Sequence, residues 1–568
     1  IDPTINTQSN PRSFFDKRAW IAKDAAFVFL MNRKADGSTI LDDFTDELNP
    51  WSRSDYLYHA IEYLESIDPT VIGPNDLIEL ISHGPMVNNW QYRSRELINY
   101  CQAYDLLLGS GMESNDLIEN NLTQFAENLI NKYTATEYTN QYLLQRNNHK
   151  LAIGAALGMA AVTLNQNQNS SKWANAGMLL INWVCFGDPA ESFDGYSLID
   201  LNGGYAEGTH YFHYSWKKLA PFFIAMKNFN GDWSEYYTST EIDGFYPNFP
   251  SSNNLNLRSP YFDTRYHEIY DWIKKLRLPN GMLPVIEDSP MNVYAPEIGI
   301  LFEEYDPYFN IHFADGEPSP LIKSLTDLKS DYIVAGNHSY DNNNNESMIY
   351  MPHSGNAVLR GQNNQNIYLH INGKNGHARL AAAAHDQADV SHFEIGFGKH
   401  RLSLEGGYAG WNHRYDINKA ENHNIILVNG FGPKPPSGPS INITYSGFPP
   451  EIDIDFNTGD PSPNDGFLEN EFQSLSFSYI ECHTEYGQSY YREEALETLE
   501  GQEIWLFDDE DQTHVQFKRG ILFIDEEYYV MHDKIDSNGD FLNTYEWRFH
   551  ANAGGEAEGT LIENENGG

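Results

Sequence analysis

The sequence predicts an α+β multidomain protein, with an N-terminal (α/α) toroid over residues 1–325 followed by an antiparallel β-sandwich over residues 326–568. Three observations predict this. A chain of 568 residues exceeds what one compact core supports. Up to about residue 320, apolar residues recur at three- and four-residue steps, and after Asp327 short alternating runs take over. The two textures are segregated rather than interleaved, which selects α+β over α/β.

The helical elements come first. Arg12–Arg33 carries Phe14, Phe15, Ala19, Ile21, Ala22, Ala25, Ala26 and Phe29 on one face. Tyr56–Ile67, Trp90–Leu108, Leu117–Tyr133, Trp173–Phe186, Trp216–Phe229 and Tyr261–Leu276 follow the same period. Leu151–Leu164 is apolar all round, so it is expected to be buried on every side. Helical hairpins with a wholly buried member suggest an inner and an outer ring. A plain bundle is the alternative, and no fixed repeat is found.

The second half reads as short strands separated by turn residues: Tyr332–Ala335, Ser347–Met351, Ala357–Arg360, Ile367–Ile371, His392–Phe397, Arg401–Leu404, Asn424–Val428, Ser474–Ile480, Ile504–Phe507, His514–Lys518, Ile521–Asp525 and Tyr528–Lys534.

Composition narrows the function. Hydrophobic residues make up 40% of the chain, which supports a large folded core and excludes a disordered one. The formal net charge of −44 argues against a nucleic-acid or anionic-membrane binder. Its simplest meaning is adaptation for solubility or salt. Cys101, Cys185 and Cys482 show no CxxC spacing and imply neither a disulfide framework nor a zinc knuckle. No apolar run reaches the ~18 residues that a membrane span needs. The opening Ile1-Asp2-Pro3 lacks Met and a signal-peptide pattern, as expected of a processed or trimmed chain, and Glu563–Gly568 reads as a cut.

Three segments carry candidate chemistry. Asn147-Asn148-His149-Lys150 precedes the buried helix; an asparagine there caps the helix, and the free N–H groups of a helix start suit an anion. Leu201–Tyr214 places a glycine turn before a helix beginning near Glu207, with Tyr211 and Tyr214 on one face. Aromatics at that spacing commonly serve only as core. In the β half, Gln387, Glu405 and His423 fall on three separate strands or strand ends and are candidate ligands of a cation; a metal-free polar network is the alternative.

On these segments the chain resembles the heparinase II/III-like polysaccharide lyases, closest in motif to the alginate and oligoalginate lyases. Asn147-Asn148-His149 resembles their Asn-Asn-His segment, and Glu207-Gly208-Thr209-His210-Tyr211 their Glu-Gly-x-x-Tyr segment. His385–Phe393 resembles their His-x-His-x-Asp-x-x-x-Phe segment, and His423-Asn424 the His-Asn that follows it. The chain departs from them at two positions. Gln387 stands where the relatives have a zinc-ligating His, and Glu405 where they usually have Asp. Gln is a poor zinc ligand, so a harder cation bound through oxygen, or none, is an alternative.

The resemblance implies β-elimination on a uronic-acid polysaccharide, alginate first, then glucuronan, ulvan or a glycosaminoglycan. The implied catalytic set is Asn148, His149, Tyr211, His385 and Tyr415, with Tyr408 the rival of Tyr415. Asn148 and His385 neutralise the substrate carboxylate. His149 takes the C5 proton and Tyr211 serves the leaving oxygen, or Tyr211 does both where base and leaving group share a face. Trp90, Tyr92, Arg93, Arg95, Lys150 and Arg414 are candidate substrate contacts. The chemistry requires no cofactor, and a structural divalent cation (zinc in the relatives) is the expected metal. A secreted or periplasmic, bacterial setting follows from the same resemblance. Two other classes stand beside it: an α/α-toroid glycoside hydrolase pairing Glu207 with Glu287 or Asp288, and a non-catalytic carbohydrate-binding protein.

Overall fold

The computed structural model describes residues 11–31, 51–71, 89–134, 147–187, 197–229, 237–239, 255–257, 263–293, 346–361, 366–374, 385, 387–398, 400–410, 417–430, 432, 440–444, 451–455, 466–486, 496–497, 503–504, 515–537 and 543–552. The helical part comprises α1 (Pro11–Met31), α2 (Arg53–Glu65), α3 (Asn89–Gly109), α4 (Asp116–Thr134), α5 (Asn148–Thr163), α6 (Ser170–Phe186), α7 (Gly208–Phe229) and α8 (Thr264–Leu276). A small hairpin, β1 (Tyr237–Ser239) with β2 (Leu255–Leu257), lies between α7 and α8 in sequence.

Helix starts follow side-chain chemistry. The Ser52 hydroxyl accepts from the Asp55 amide, and the Asp55 carboxylate accepts from the Ser52 amide, closing a capping box on α2. Asn147 and Asp263 cap α5 and α8 in the same way. α5 is the hub, packing against α3, α6 and α7. Asn148 and every residue from Lys150 to Ala161 are buried, as its all-round apolarity predicts. Small residues let α6 come close: a Cβ on Gly177 would lie 2.6 Å from the Gly154 carbonyl oxygen. α8 docks through aromatic edges, Tyr266 against Phe186 and Phe223, and Tyr270 against Trp216.

The second half is antiparallel. β3 (Met348–Met351), β4 (Asn356–Arg360), β5 (Ile367–Asn372), β6 (Phe393–Phe397) and β7 (His400–Arg401) form one sheet in that order. β8 (Ile426–Val428) pairs with the late strand β17 (Tyr545–Trp547). Two hairpins lie in between in sequence: β9 (Ser440–Thr444) with β10 (Glu451–Asp455), and β13 (Leu496–Glu497) with β14 (Glu503–Ile504). β11 (Gly466–Gln473), β12 (Phe477–Tyr486), β15 (Val515–Ile524) and β16 (Tyr528–Ser537) make a four-stranded sheet.

The five-stranded sheet is buried on both faces. Ile349, Val358 and Tyr368 join the helical core, whereas Ala357, Leu359 and Leu369 join a second core with Ile480, Val515 and Ile521 of the four-stranded sheet. β5 therefore reads as a continuous apolar run rather than an alternating one. This shared packing couples the helical half to the β half.

Some sequence expectations are corrected. His514–Lys518 and Ile521–Asp525, expected as two strands, are a single strand, β15, and Arg519 between them is wholly buried. It forks onto Asp533 and donates to the carbonyls of Ser391 and Asn424. The expected Arg401–Leu404 strand shortens to β7 plus a bridge from Ser403 to Ala551. β12 starts at Phe477 because Ser474 and Phe477 close a turn. The acidic strand β11 was not expected; its sequence carries almost no alternation of apolar residues. Tyr332–Ala335 and the boundary at 325/326 lie outside the described residues.

Candidate active site between the helical and β halves

The site begins with a turn. The Asp200 carboxylate accepts from the amides of Asn202 and Gly204 at 2.7 and 2.9 Å, shaping the glycine turn that leads into α7. Gly208 opens α7 with φ +82°. A Cβ there would lie 2.1 Å from the Ile286 carbonyl oxygen. This close approach locks Pro284–Ser289 onto the start of α7: Thr209 donates to the Pro284 carbonyl, and Ser289 accepts from the His210 amide. Gly208→Ala should therefore cost ~2–4 kcal/mol, from left-handed backbone strain and overpacking together. Its melting temperature checks this, and an unchanged value would mean that the segment simply shifts.

The locked segment presents Glu287 and Asp288 to the β half. Glu287, itself at φ +54°, receives the Gln387 amide at 3.0 Å and pairs with the buried Lys374 ammonium at 3.2 Å. The Asp288 carboxylate faces His385 Nδ1 at 3.0 Å and Gln387 Nε2 at 3.1 Å. With Nδ1–H donated to Asp288, Nε2 of His385 is turned toward Glu207, 3.5 Å away. Glu207 in turn accepts from Asn148 through the backbone amide and Nδ2, at 3.3 and 3.0 Å, and from the Tyr205 hydroxyl at 2.9 Å. Asn148 is thus held at the first turn of α5 with its Oδ1 buried and unpartnered.

Tyr211 completes the cluster. Its hydroxyl is 2.9 Å from that of Tyr408, and its ring centroid is 4.2 Å from that of His385. Burial, then the hydrogen bond with Tyr408, push the Tyr211 phenol well above its ordinary range, so it keeps its proton. His149 is held down to about 3, first by burial and then by the positive neighbours Lys218, His385, Lys150 and Arg95. His210, stacked near Tyr214 and edge-on to Tyr211, is held down to about 4, again chiefly by burial. Both imidazoles are neutral at neutral pH.

The structure thus brings Asn148, His149, Tyr211 and His385 together, from α5, α7 and the β half. Tyr408 is the tyrosine in contact with Tyr211, whereas Tyr415 and Arg414 lie outside the described residues. Asp288, Glu207 and Lys218 are the residues that sequence reasoning left out of the catalytic and binding sets. Lys218 had a signal, seven residues after Tyr211 and four after Tyr214 on one face of α7. Asp288 and Glu207 stood in the sequence only as carboxylates of the hydrolase alternative, and the contact of Asp288 with His385 is a long-range one that the sequence does not show.

The expected substrate contacts divide. Arg95 donates to the Tyr214 hydroxyl at 3.3 Å and lies over the Tyr92 ring; Gln91 donates to the same hydroxyl, and Lys218 lies 3.0 Å from the Tyr214 ring centroid. These groups make a cationic wall beside His149. Lys150 is buried near Trp183. Arg93 is a correction: its guanidinium is buried against Phe125 and bonded to Glu96 and the carbonyls of Asp68 and Thr70, so it braces the helices rather than facing a ligand. Trp90 lies in the first turn of α3, with its side chain outside the described residues.

The candidate metal ligands are also rearranged. Glu405 contacts His423 Nδ1 through one carboxylate oxygen, and its other oxygen lies 2.9 Å from His392 Nδ1. The three are fully buried, with one ligand atom from each within 4.8 Å of the others. The Gln387 side-chain nitrogen donates to Asp288 and reaches the Gly407 carbonyl, and the third member of the buried His/Glu set is His392. It lies at the end of a motif that the sequence analysis quoted, but strand alternation alone does not show which way it points.

No protein-family model matches the chain, and no curated protein matches it. Among solved structures, the chain is similar to a heparinase III at 15% identity and TM-score 0.49, covering 95% of this chain and 72% of that one. A second heparinase III shows 12% identity and TM-score 0.47, with coverages of 95% and 72%. A mutant of the heparan sulfate lyase HepC from Pedobacter heparinus shows 11% identity and TM-score 0.47, with coverages of 95% and 70%.

Proposed function

We propose that the chain is a polysaccharide lyase that cleaves a uronic-acid polymer by β-elimination, in a cleft between an α/α toroid and a β-sandwich. The observation that carries this reading is the cluster at the junction of the two halves: a protonated Tyr211 paired with Tyr408, a neutral His149, and His385 oriented by Asp288. Elimination needs a group that stabilises the uronate carboxylate as charge develops on it, a base for C5–H and an acid for the leaving oxygen. Asn148 and His385 supply the first, the second Nδ2 hydrogen of Asn148 being left after its bond to Glu207. His149 is the base. Tyr211 is the acid, because a phenol this reluctant to ionise is suited to giving up a proton only as negative charge grows on the oxygen beside it. These electrostatics favour base and acid on two separate residues over Tyr211 acting as both.

The hydrolase reading finds less support. A hydrolase needs two carboxylates open to the sugar, one as acid and one as base or nucleophile. Glu207, Glu287 and Asp288 are all buried and engaged by protein donors. The cationic side chains of Arg95, Lys150 and Lys218 around His149 also suit an anionic chain locally despite the net charge of −44, since screening confines the global field to roughly 8 Å at physiological salt.

A panel of alginate, glucuronan, ulvan and glycosaminoglycans, followed by near-ultraviolet absorbance of the unsaturated uronate, tests the proposal. Alginate ranks first on the motif resemblance. Saturated products would establish hydrolysis; no turnover on any polyuronate would leave a binding protein. No helix among the described residues is long and apolar enough to cross a membrane, and we infer a secreted or periplasmic enzyme from the nature of the substrate.

The pH profile gives a further prediction. The free enzyme's His149 has a lowered value of about 3, so its neutral form persists well below pH 6.5. kcat/KM should hold its value from pH 7.5 down through pH 6 and fall only under more acid conditions. An acid limb centred near 6.5 would assign the proton to an unperturbed imidazole instead. Stability follows the same sign: an imidazole lowered by folding takes up its proton more readily when unfolded, so its contribution is lost as pH falls below about 6.5.

A further inference from the structure

We propose that His210 determines specificity by hydrogen-bonding a ring hydroxyl of the departing sugar, the one that leaves with the oxygen protonated by Tyr211. The proposal rests on the lyase reading and adds a contact to it. His210 lies in the first turn of α7, one residue before Tyr211. Its ring is half-buried among three tyrosines: its centroid is 5.3 Å from that of Tyr211, 5.9 Å from that of Tyr408 and 6.5 Å from that of Tyr214.

The ring is held in place but not used. The His210 amide donates to the Ser289 hydroxyl at 2.8 Å, which fixes the backbone beneath the side chain. No hydrogen bond joins either ring nitrogen to another described residue. The Tyr211 hydroxyl pairs with that of Tyr408 at 2.9 Å, so His210 is outside that pair and its nitrogens are available to a group entering the cleft. His210 and His385 both flank the Tyr211 ring, with 80° and 46° between the planes. His385 works with Asn148 on the substrate carboxylate. A side chain that packs on the acid without joining that pair is placed beside the departing sugar.

The chemistry selects a hydroxyl. Burial first, then His213, His385 and Lys218, hold His210 down to about 4, so at neutral pH it offers one N–H donor and one nitrogen acceptor. A hydroxyl can meet either nitrogen, whereas a carboxylate or sulfate only accepts and is better served by the Arg95 and Lys218 wall. The surrounding tyrosine rings exclude water and suit the C–H faces of a pyranose. A hydrogen bond in such a setting discriminates, because a sugar that cannot make it leaves the imidazole unpaired.

Kinetics of His210→Phe and His210→Gln test this on the polyuronate turned over in the panel, and on the same polymer with its ring hydroxyls partly O-acetylated. Phenylalanine keeps the ring packing and removes both nitrogens; glutamine restores a donor and an acceptor. On the unmodified polymer, kcat/KM of His210→Phe should fall about 5–100-fold, and His210→Gln should recover part of the loss. O-acetylation should penalise the wild-type chain at least about threefold more than it penalises His210→Phe, which a packing role would not produce. Wild-type rates in His210→Phe, or equal losses on both polymers, overturn the assignment, and unsaturated product in those cases leaves the lyase reading standing. Saturated product with the discrimination kept overturns the lyase reading instead and supports the contact. If turnover is absent, the calorimetric Kd of alginate for the wild-type chain and for His210→Phe makes the same comparison: a value raised about threefold or more supports the contact, and an unchanged one overturns it.

Discussion

Tyr211→Phe is expected to lower kcat by about 10²–10⁴-fold while the protein stays folded. The change removes only the oxygen that would protonate the leaving group. The cost to stability is small, since the lost bond to Tyr408 is a single partly buried hydrogen bond, net ~0.5–1.5 kcal/mol. The neighbouring tyrosines are controls for register. The Tyr214 hydroxyl is held by Gln91 and Arg95, so Tyr214→Phe should disturb binding more than the chemical step. The buried Tyr205 hydroxyl bridges Glu207 and Ser215, so Tyr205→Phe should mainly cost stability. Tyr408→Phe should fall between, because it removes the partner that holds the Tyr211 hydroxyl. Steady-state kinetics on the active polyuronate, with circular dichroism of each variant, decide it. Near-normal turnover in Tyr211→Phe, with loss in Tyr214→Phe or Tyr205→Phe, would move the acid to another position on α7.

How far the sequence reveals such a site depends on whether a residue's role is local. α5 was legible because its apolarity runs all round and Asn147 caps it, both properties of adjacent residues. The placement of Tyr211 and His149 near each other's segments was legible because each stands beside a helix start or glycine turn that fixes its direction. Arg519 was misread for the opposite reason. Nothing local distinguishes a charge ending a strand from one buried in its middle, and only Asp533 across the sheet and two carbonyls from elsewhere make the burial tolerable. Arg93 belongs to the same class: it was a candidate contact for a substrate carboxylate, but Glu96 and the carbonyls of Asp68 and Thr70 claim it. The place of His392 beside Glu405 was missed because the left-handed residue Ser391, at φ +68°, resets the face that the entering segment presents just before β6. Alternation cannot be carried through such a residue.

Asp288→Asn should lower kcat by about 10²–10⁴-fold, with KM changed by no more than a few-fold and the fold retained. Asp288 does not face open solvent, and both of its carboxylate oxygens are engaged, one by His385 and one by Gln387. It acts through His385. An ionised carboxylate at Nδ1 fixes the tautomer and ring plane and leaves Nε2 aimed at the Glu207–Asn148 pair. An asparagine keeps the volume but loses the charge, and its amide can present N–H to Nδ1, favouring the wrong tautomer. The loss should therefore appear in the chemical step rather than in binding, and Asp288→Glu should recover part of it only if the longer side chain still reaches His385. The residual product separates this from the hydrolase reading. If Asp288 positions a lyase histidine, the slow remaining turnover still yields unsaturated uronate. If Asp288 were a glycosidase acid, any product would be saturated. A drop in kcat of less than about tenfold, with unsaturated product, would show that Tyr211 and neighbouring contacts already hold His385 in place without the carboxylate.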